Sequence, residues 1–164
     1  KIYYTSKSLD ACIDFDLEQF ALPLRNKTTS LRLPLAEGRV SAGFPSPADD
    51  YIDIGIDLNE QLIQHPTSTF LLRVSGNSMT GAGIHNNDLL VVDSCLTPRP
   101  GQIVVAVLDG AFTLKRLTFK DKRLALKAEN PNCPPIDLQK YNNVQIWGVA
   151  IYSIHSLNRL KPSI

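Results

Sequence analysis

The sequence predicts a mainly β fold, built of antiparallel strands and preceded by a flexible arm with a short helix. Three observations predict it. Six short apolar runs rich in Val, Ile, Leu or aromatics follow one another from residue 70 to residue 152. Turn formers separate them, in Pro98-Arg-Pro-Gly101, Asp109-Gly110 and Asn130-Pro-Asn-Cys-Pro-Pro135. Finally, Asp109-Gly110 stands between two β-branched runs, and Asp-Gly favours the positive φ angles of a type I′ hairpin.

Taken in order, residues 8–20 place Leu9, Ile13, Leu17 and Phe20 at helical spacing behind Ser8, a possible N-cap. Asp10, Asp14 and Glu18 occupy the other face, the wrong sign for a helix entering a DNA groove. Residues 23–50 carry Pro23, Pro34, Pro45, Pro47, Gly38 and Gly43, a composition that predicts an exposed, extended linker open to cutting. Residues 53–64 predict a short helix ending before Pro66. Strands are then predicted at Phe70–Val74, Leu89–Val92, Ile103–Leu108, Phe112–Leu117, Arg123–Ala128 and Val144–Tyr152. This divides the chain into an arm and linker, residues 1–42, and a β-rich domain, residues 43–164.

Composition narrows the function. The 164 residues carry 17 Lys+Arg against 16 Asp+Glu, a net charge of +1. Residues 1–42 hold 6 basic and 5 acidic side chains and the remainder 11 of each, so no basic arm marks a dedicated nucleic-acid binder. The basic stretch from Lys115 to Lys127 reads as a solvated hairpin before it reads as a DNA contact. No apolar run approaches the roughly 20 residues of a membrane helix, so no membrane partner is expected. Cys12, Cys95 and Cys133 are odd in number and form no CxxC pair, which argues against a disulfide framework or a zinc site and fits a reducing cytoplasm. His65, His85 and His155 are scattered without ligand spacing, so neither metal nor cofactor is expected.

Two residues suggest chemistry. Ser78, in Ser75-Gly-Asn-Ser-Met79, follows a predicted strand and a Gly-containing turn that can project its hydroxyl from a rigid edge. In Ala111-Phe-Thr-Leu-Lys-Arg-Leu117, alternation puts Thr113, Lys115 and Leu117 on one face, and the apolar Leu117 predicts partial burial of Lys115. Burial disfavours the charged form of a lysine, and a neutral amine can take a proton from a serine hydroxyl. Each residue also has an ordinary structural explanation, as a turn serine and as a lysine snorkelling from a strand edge.

The segments Gly43-Phe-Pro-Ser-Pro-Ala48, Ile56-Asp-Leu-Asn59, Leu62-Ile-Gln-His-Pro66, Ser75-Gly-Asn-Ser-Met79, Asp88-Leu-Leu-Val-Val-Asp-Ser94 and Asp109-Gly-Ala-Phe-Thr-Leu-Lys-Arg-Leu117 occur in an order and spacing that resemble the UmuD/LexA family. These are the self-cleaving Ser–Lys peptidases of the bacterial SOS response, and the likeness spans roughly residues 42–155. It implies a LexA/UmuD-like peptidase domain, Ser78 as nucleophile, Lys115 as general base and Ala42-Gly43 as the scissile bond. Backbone N–H groups of Asn77 and Ser78 would form the oxyanion hole. The family's behaviour further implies a homodimer and cleavage stimulated by RecA filaments on single-stranded DNA, through a population shift of the cleavage loop.

Two roles follow from the resemblance. The Ala-Gly junction and long arm are repressor-like, and point to a regulator whose operator-DNA module lies upstream of Lys1, a residue that suggests a processed or trimmed start. The body resembles UmuD, which has Cys-Gly at its junction, and points instead to an accessory subunit of an error-prone translesion polymerase. The regulator is the reading that the arm and junction favour.

Overall fold

The computed structural model describes residues 3–4, 30–35, 54–120, 123–134, 136 and 138–158. The predicted helix at 8–20 and the Ala42-Gly43 bond lie outside them. In chain order the strands are β1 Tyr3–Tyr4, β2 Arg32–Leu35, β3 Ile54–Asp57, β4 Thr69–Arg73, β5 Leu89–Asp93, β6 Ile103–Leu108, β7 Ala111–Lys120, β8 Arg123–Lys127 and β9 Asn142–Ile154. One α-helix, α1 at Leu58–Leu62, falls inside the segment predicted to hold one; the residues before it, β3, are extended. Asp57 caps it by accepting a hydrogen bond from the Asn59 amide at 2.8 Å.

Six strands form one antiparallel path, β4-β5-β9-β6-β7-β8, with β1 pairing onto β9. The hairpin joining β6 to β7 turns at Asp109 and Gly110, whose φ angles of 49° and 90° are the two positive values that a type I′ turn requires. β2 and β3 pair separately, Arg32 opposite Asp57 through Leu35 opposite Ile54. A part of the predicted linker is therefore a strand, and the chain between these two partners contains the Ala42-Gly43 junction.

Apolar side chains cover both faces of the large sheet, which explains why β5 and β6 read as continuous apolar runs rather than alternating ones. Leu72, Leu90, Val92, Val105 and Leu114 lie in one cluster with Met79 and Ile84. Val104, Ala106, Leu108, Leu117, Leu126 and Val149 form another with Tyr141. Each such side chain removed from water contributes on the order of 1.5–3 kcal/mol. Strand β9 lies between β5 and β6, so the strand predicted at Val144–Tyr152 is central to the sheet. Its register shifts opposite Val105/Ala106, beside Trp147, whose ring packs 4.9 Å from Phe70 and 5.9 Å from Phe112. Gly148 follows because a Cβ there would stand 2.7 Å from Val92.

The sequence reading of residues 115–127 as one solvated basic hairpin needs correction. Lys115 is buried, and Arg116 pairs with Glu129 at 2.8 Å; Arg123 and Lys127 are exposed. No helix among the described residues is long and apolar enough to cross a membrane.

Candidate active site

Ser78 sits just beyond β4, where the chain leaves the sheet. Gly76 takes a φ of 86°, and its amide is held by the Asn86 side chain at 2.9 Å. The next residue after Ser78 is Met79, 2% exposed and packed in the first apolar cluster. A 3-10 turn at Thr80–Ala82 follows, closed by Gly83 at a φ of 76°. The serine is thus held between a glycine turn and a core anchor, with its hydroxyl half-buried.

Lys115 comes from the middle of β7, opposite Val104 of β6. Its face is the predicted one: Thr113, Lys115 and Leu117 are all buried, and Lys115 is the largest fully buried side chain among the described residues, at 1% exposure. Its Nζ donates to Ser78 Oγ at 2.9 Å and to the Leu114 carbonyl at 3.1 Å. The structure therefore brings together the two residues that the sequence singled out. An amine at that distance is placed to exchange a proton with the hydroxyl.

The backbone amides of Asn77 and Ser78 have no hydrogen-bond partner among the described residues. A second segment, which the sequence showed only as a turn-rich loop, grips this turn from the other side. The Glu129 amide donates to the Ser78 carbonyl at 2.9 Å, the Gly81 amide donates to the Glu129 carbonyl at 2.6 Å, and Asn130 Nδ2 donates to the Asn77 carbonyl at 2.7 Å. Arg116 ties Glu129 back to β7, donating to its carboxylate and, at 2.6 Å, to the Gly101 carbonyl. The paired guanidinium holds the Glu129 carboxyl below its ordinary range. Asn-Pro at 130–131 was the available signal, but nothing in it foretold a contact 53 positions away.

Elsewhere, His65, Asp93 and Cys95 bring one ligand-type atom each to within 4.8 Å of one another, a grouping hidden by their separation in sequence. Here the buried Asp93 carboxylate already accepts from Ser68 Oγ and the Cys95 amide, both at 2.9 Å, and is paired with the His65 ring. Among the described residues, neither Cys95 nor Cys133 is in a disulfide.

Comparison with known proteins adds to this geometry. Residues 34–151 match the family described as Peptidase S24-like. The chain is 44% identical over 128 residues to Protein ImpA of Escherichia coli, covering 78% of this chain and 87% of that protein. It is 43% identical over 123 residues to Protein MucA of Escherichia coli, covering 74% and 84%. To the LexA repressor of Paracidovorax citrulli it is 41% identical over 133 residues, covering 81% of this chain but 58% of the repressor.

Proposed function

Because this chain belongs to the S24 peptidase family, we propose that it cuts its own Ala42-Gly43 bond with Ser78 as nucleophile and Lys115 as general base. The hydrogen bond between the buried amine and the Ser78 hydroxyl carries this reading. The neutral amine takes the hydroxyl proton as Oγ attacks the Ala42 carbonyl carbon. The resulting oxyanion is held by the Asn77 and Ser78 amides. Collapse breaks the C–N bond, the proton passes from Lys115 to the Gly43 amine, and an acyl group remains on Ser78. Water, deprotonated by Lys115 in its turn, attacks the acyl carbon; the C–Oγ bond breaks, Ser78 Oγ takes the proton back from Lys115, and the released acid ionises to a carboxylate.

A small residue on the acyl side and glycine on the leaving side permit close backbone approach to Ser78. Residues 1–42 would form the arm released by cleavage and residues 43–164 the peptidase and dimerisation domain. A RecA filament on single-stranded DNA would favour the docked position of the cleavage loop while supplying no catalytic group. The working protein would be a cytoplasmic homodimer.

Downstream of cleavage, a UmuD-like accessory role in translesion synthesis is better supported than a repressor role. The body of the chain resembles UmuD, and the chain is 44% identical to ImpA and 43% to MucA against 41% to the LexA repressor. The long arm and the Ala-Gly junction had favoured the repressor. The discriminating experiment incubates intact and cleaved protein with an error-prone translesion polymerase, and separately with operator-containing DNA. Binding of the cleaved form to the polymerase supports the accessory role. Sequence-specific DNA binding by the intact protein, lost on cleavage, would overturn it in favour of a regulator.

A further inference from the structure

We infer that Asn130 is a positioning residue for cleavage, holding the Ser78 N–H in the direction an oxyanion needs; this rests on the Ser–Lys reading above. A trans peptide unit is planar, with its C=O and N–H pointing in opposite directions. The Asn77 carbonyl and the Ser78 amide belong to one such unit, and no cis peptide occurs among the described residues. Fixing the carbonyl therefore fixes the amide. Asn130 Nδ2 donates to that carbonyl at 2.7 Å, the shortest of its bonds beside those from Thr80 Oγ1 at 3.2 Å and the Thr80 amide at 3.5 Å, while the Ser78 amide is without a partner among the described residues.

Asn130 is itself fixed. Its Oδ1 accepts the Asn132 amide at 3.0 Å and its carbonyl accepts the Cys133 amide at 3.0 Å, so the side-chain amide is oriented by its own turn. The following peptide unit is held as well, since the Ser78 carbonyl accepts the Glu129 amide at 2.9 Å. Two successive peptide planes around the nucleophile are thus gripped by two successive residues, and Arg116 fastens that pair to the strand carrying Lys115. The hydrogen bond from Asn130 also polarises the unit, making its N–H a better donor to a developing negative charge. Asn130 acts through the peptide, by its hydrogen bond to the Asn77 carbonyl.

The test measures self-cleavage of the full chain against pH for wild type, Asn130→Ala and the near-isosteric Asn130→Asp, with near-UV circular dichroism to verify folding. Asn130 is partly exposed, so neither substitution opens a core cavity. Both variants should reach a plateau rate at least about tenfold below wild type, by analogy with loss of an oxyanion donor. In the uncharged Asn130→Ala variant the midpoint of the pH profile should stay in place, because Lys115 is untouched; a merely structural role would lower thermal stability and leave the plateau alone. Wild-type plateaus in folded variants would overturn the role of Asn130 and leave the Ser–Lys reading standing. A wild type that never cuts would sink that reading instead. Should both variants unfold, the Asn130→Ser variant replaces them on the same readout, and a wild-type plateau in that folded variant contradicts the inference.

Discussion

Lys115 Nζ lies 2.9 Å from Ser78 Oγ across 37 positions of sequence, one residue from a strand interior and the other from a turn. Independent anchors hold the two ends. The register of β7 between β6 and β8 fixes the lysine, while Met79 in the core and the Glu129-Asn130 grip fix the serine. The chemistry thus depends on how two separate parts of the sheet meet, and each anchor can be tested by itself.

Thr113 stands on the same face of β7 as Lys115, 3% exposed, with a buried hydroxyl that has no partner among the described residues. Leaving such a group unpaired costs on the order of 1–3 kcal/mol. Thr113→Val keeps the shape and removes the hydroxyl. We expect a gain of about 1 kcal/mol in urea unfolding; a loss of stability would show that the hydroxyl is satisfied in solution.

Gly81 has no room for a side chain. A Cβ there would stand 2.4 Å from the Glu129 carbonyl oxygen, a backbone atom that cannot rotate away. Gly81→Ala should push the 129–130 segment off the nucleophile turn, cost about 1–3 kcal/mol as overpacking does, and slow self-cleavage. Unchanged cleavage in the folded variant would mean that the two segments need not touch.

Asp93 predicts an acid limb of stability. Burial pushes its carboxyl up, but the His65 ring, the Cys95 amide and thiol and the Ser68 hydroxyl outweigh that, holding it at about 2 against an ordinary 3.8. Since the folded value is depressed, its contribution is complete above the unfolded value near 3.8 and disappears as pH falls through about 2. The unfolding free energy from urea titrations should therefore decline across this interval in wild type, by up to about 2 kcal/mol. Asp93→Asn should flatten that part of the curve, and an equal decline in the variant would assign the acid limb to other carboxylates.

The strands were legible because their signals are local. Asp109-Gly110 predicts its own turn, and β-branched runs predict extended chain whatever they pair with. Alternation across Ala111–Leu117 gave the burial of Lys115 for the same reason. Pairing order was not legible, since β9 enters between β5 and β6 through contacts far apart in sequence. The same applies to β2, whose partner lies beyond the Pro-rich linker and which composition marked only as exposed chain. At the site, Ser78 and Lys115 were legible as candidates by residue type and resemblance, while the Asn130 side chain and the Glu129 backbone bond to the serine turn through contacts that no residue pattern encodes. His65, Asp93 and Cys95 were similarly hidden by distance along the chain.

The most direct test is self-cleavage of the purified full chain as pH is raised, followed by mass analysis of the fragments, for wild type, Ser78→Ala and Lys115→Ala. Raising pH supplies the neutral amine that the general base requires. The account predicts wild-type cleavage that accelerates toward alkaline pH and cuts between Ala42 and Gly43, with both variants intact over the same period. Cutting at that bond by the Ser78→Ala variant at the wild-type rate, or a wild type that stays whole at high pH even with RecA filaments added, would contradict it.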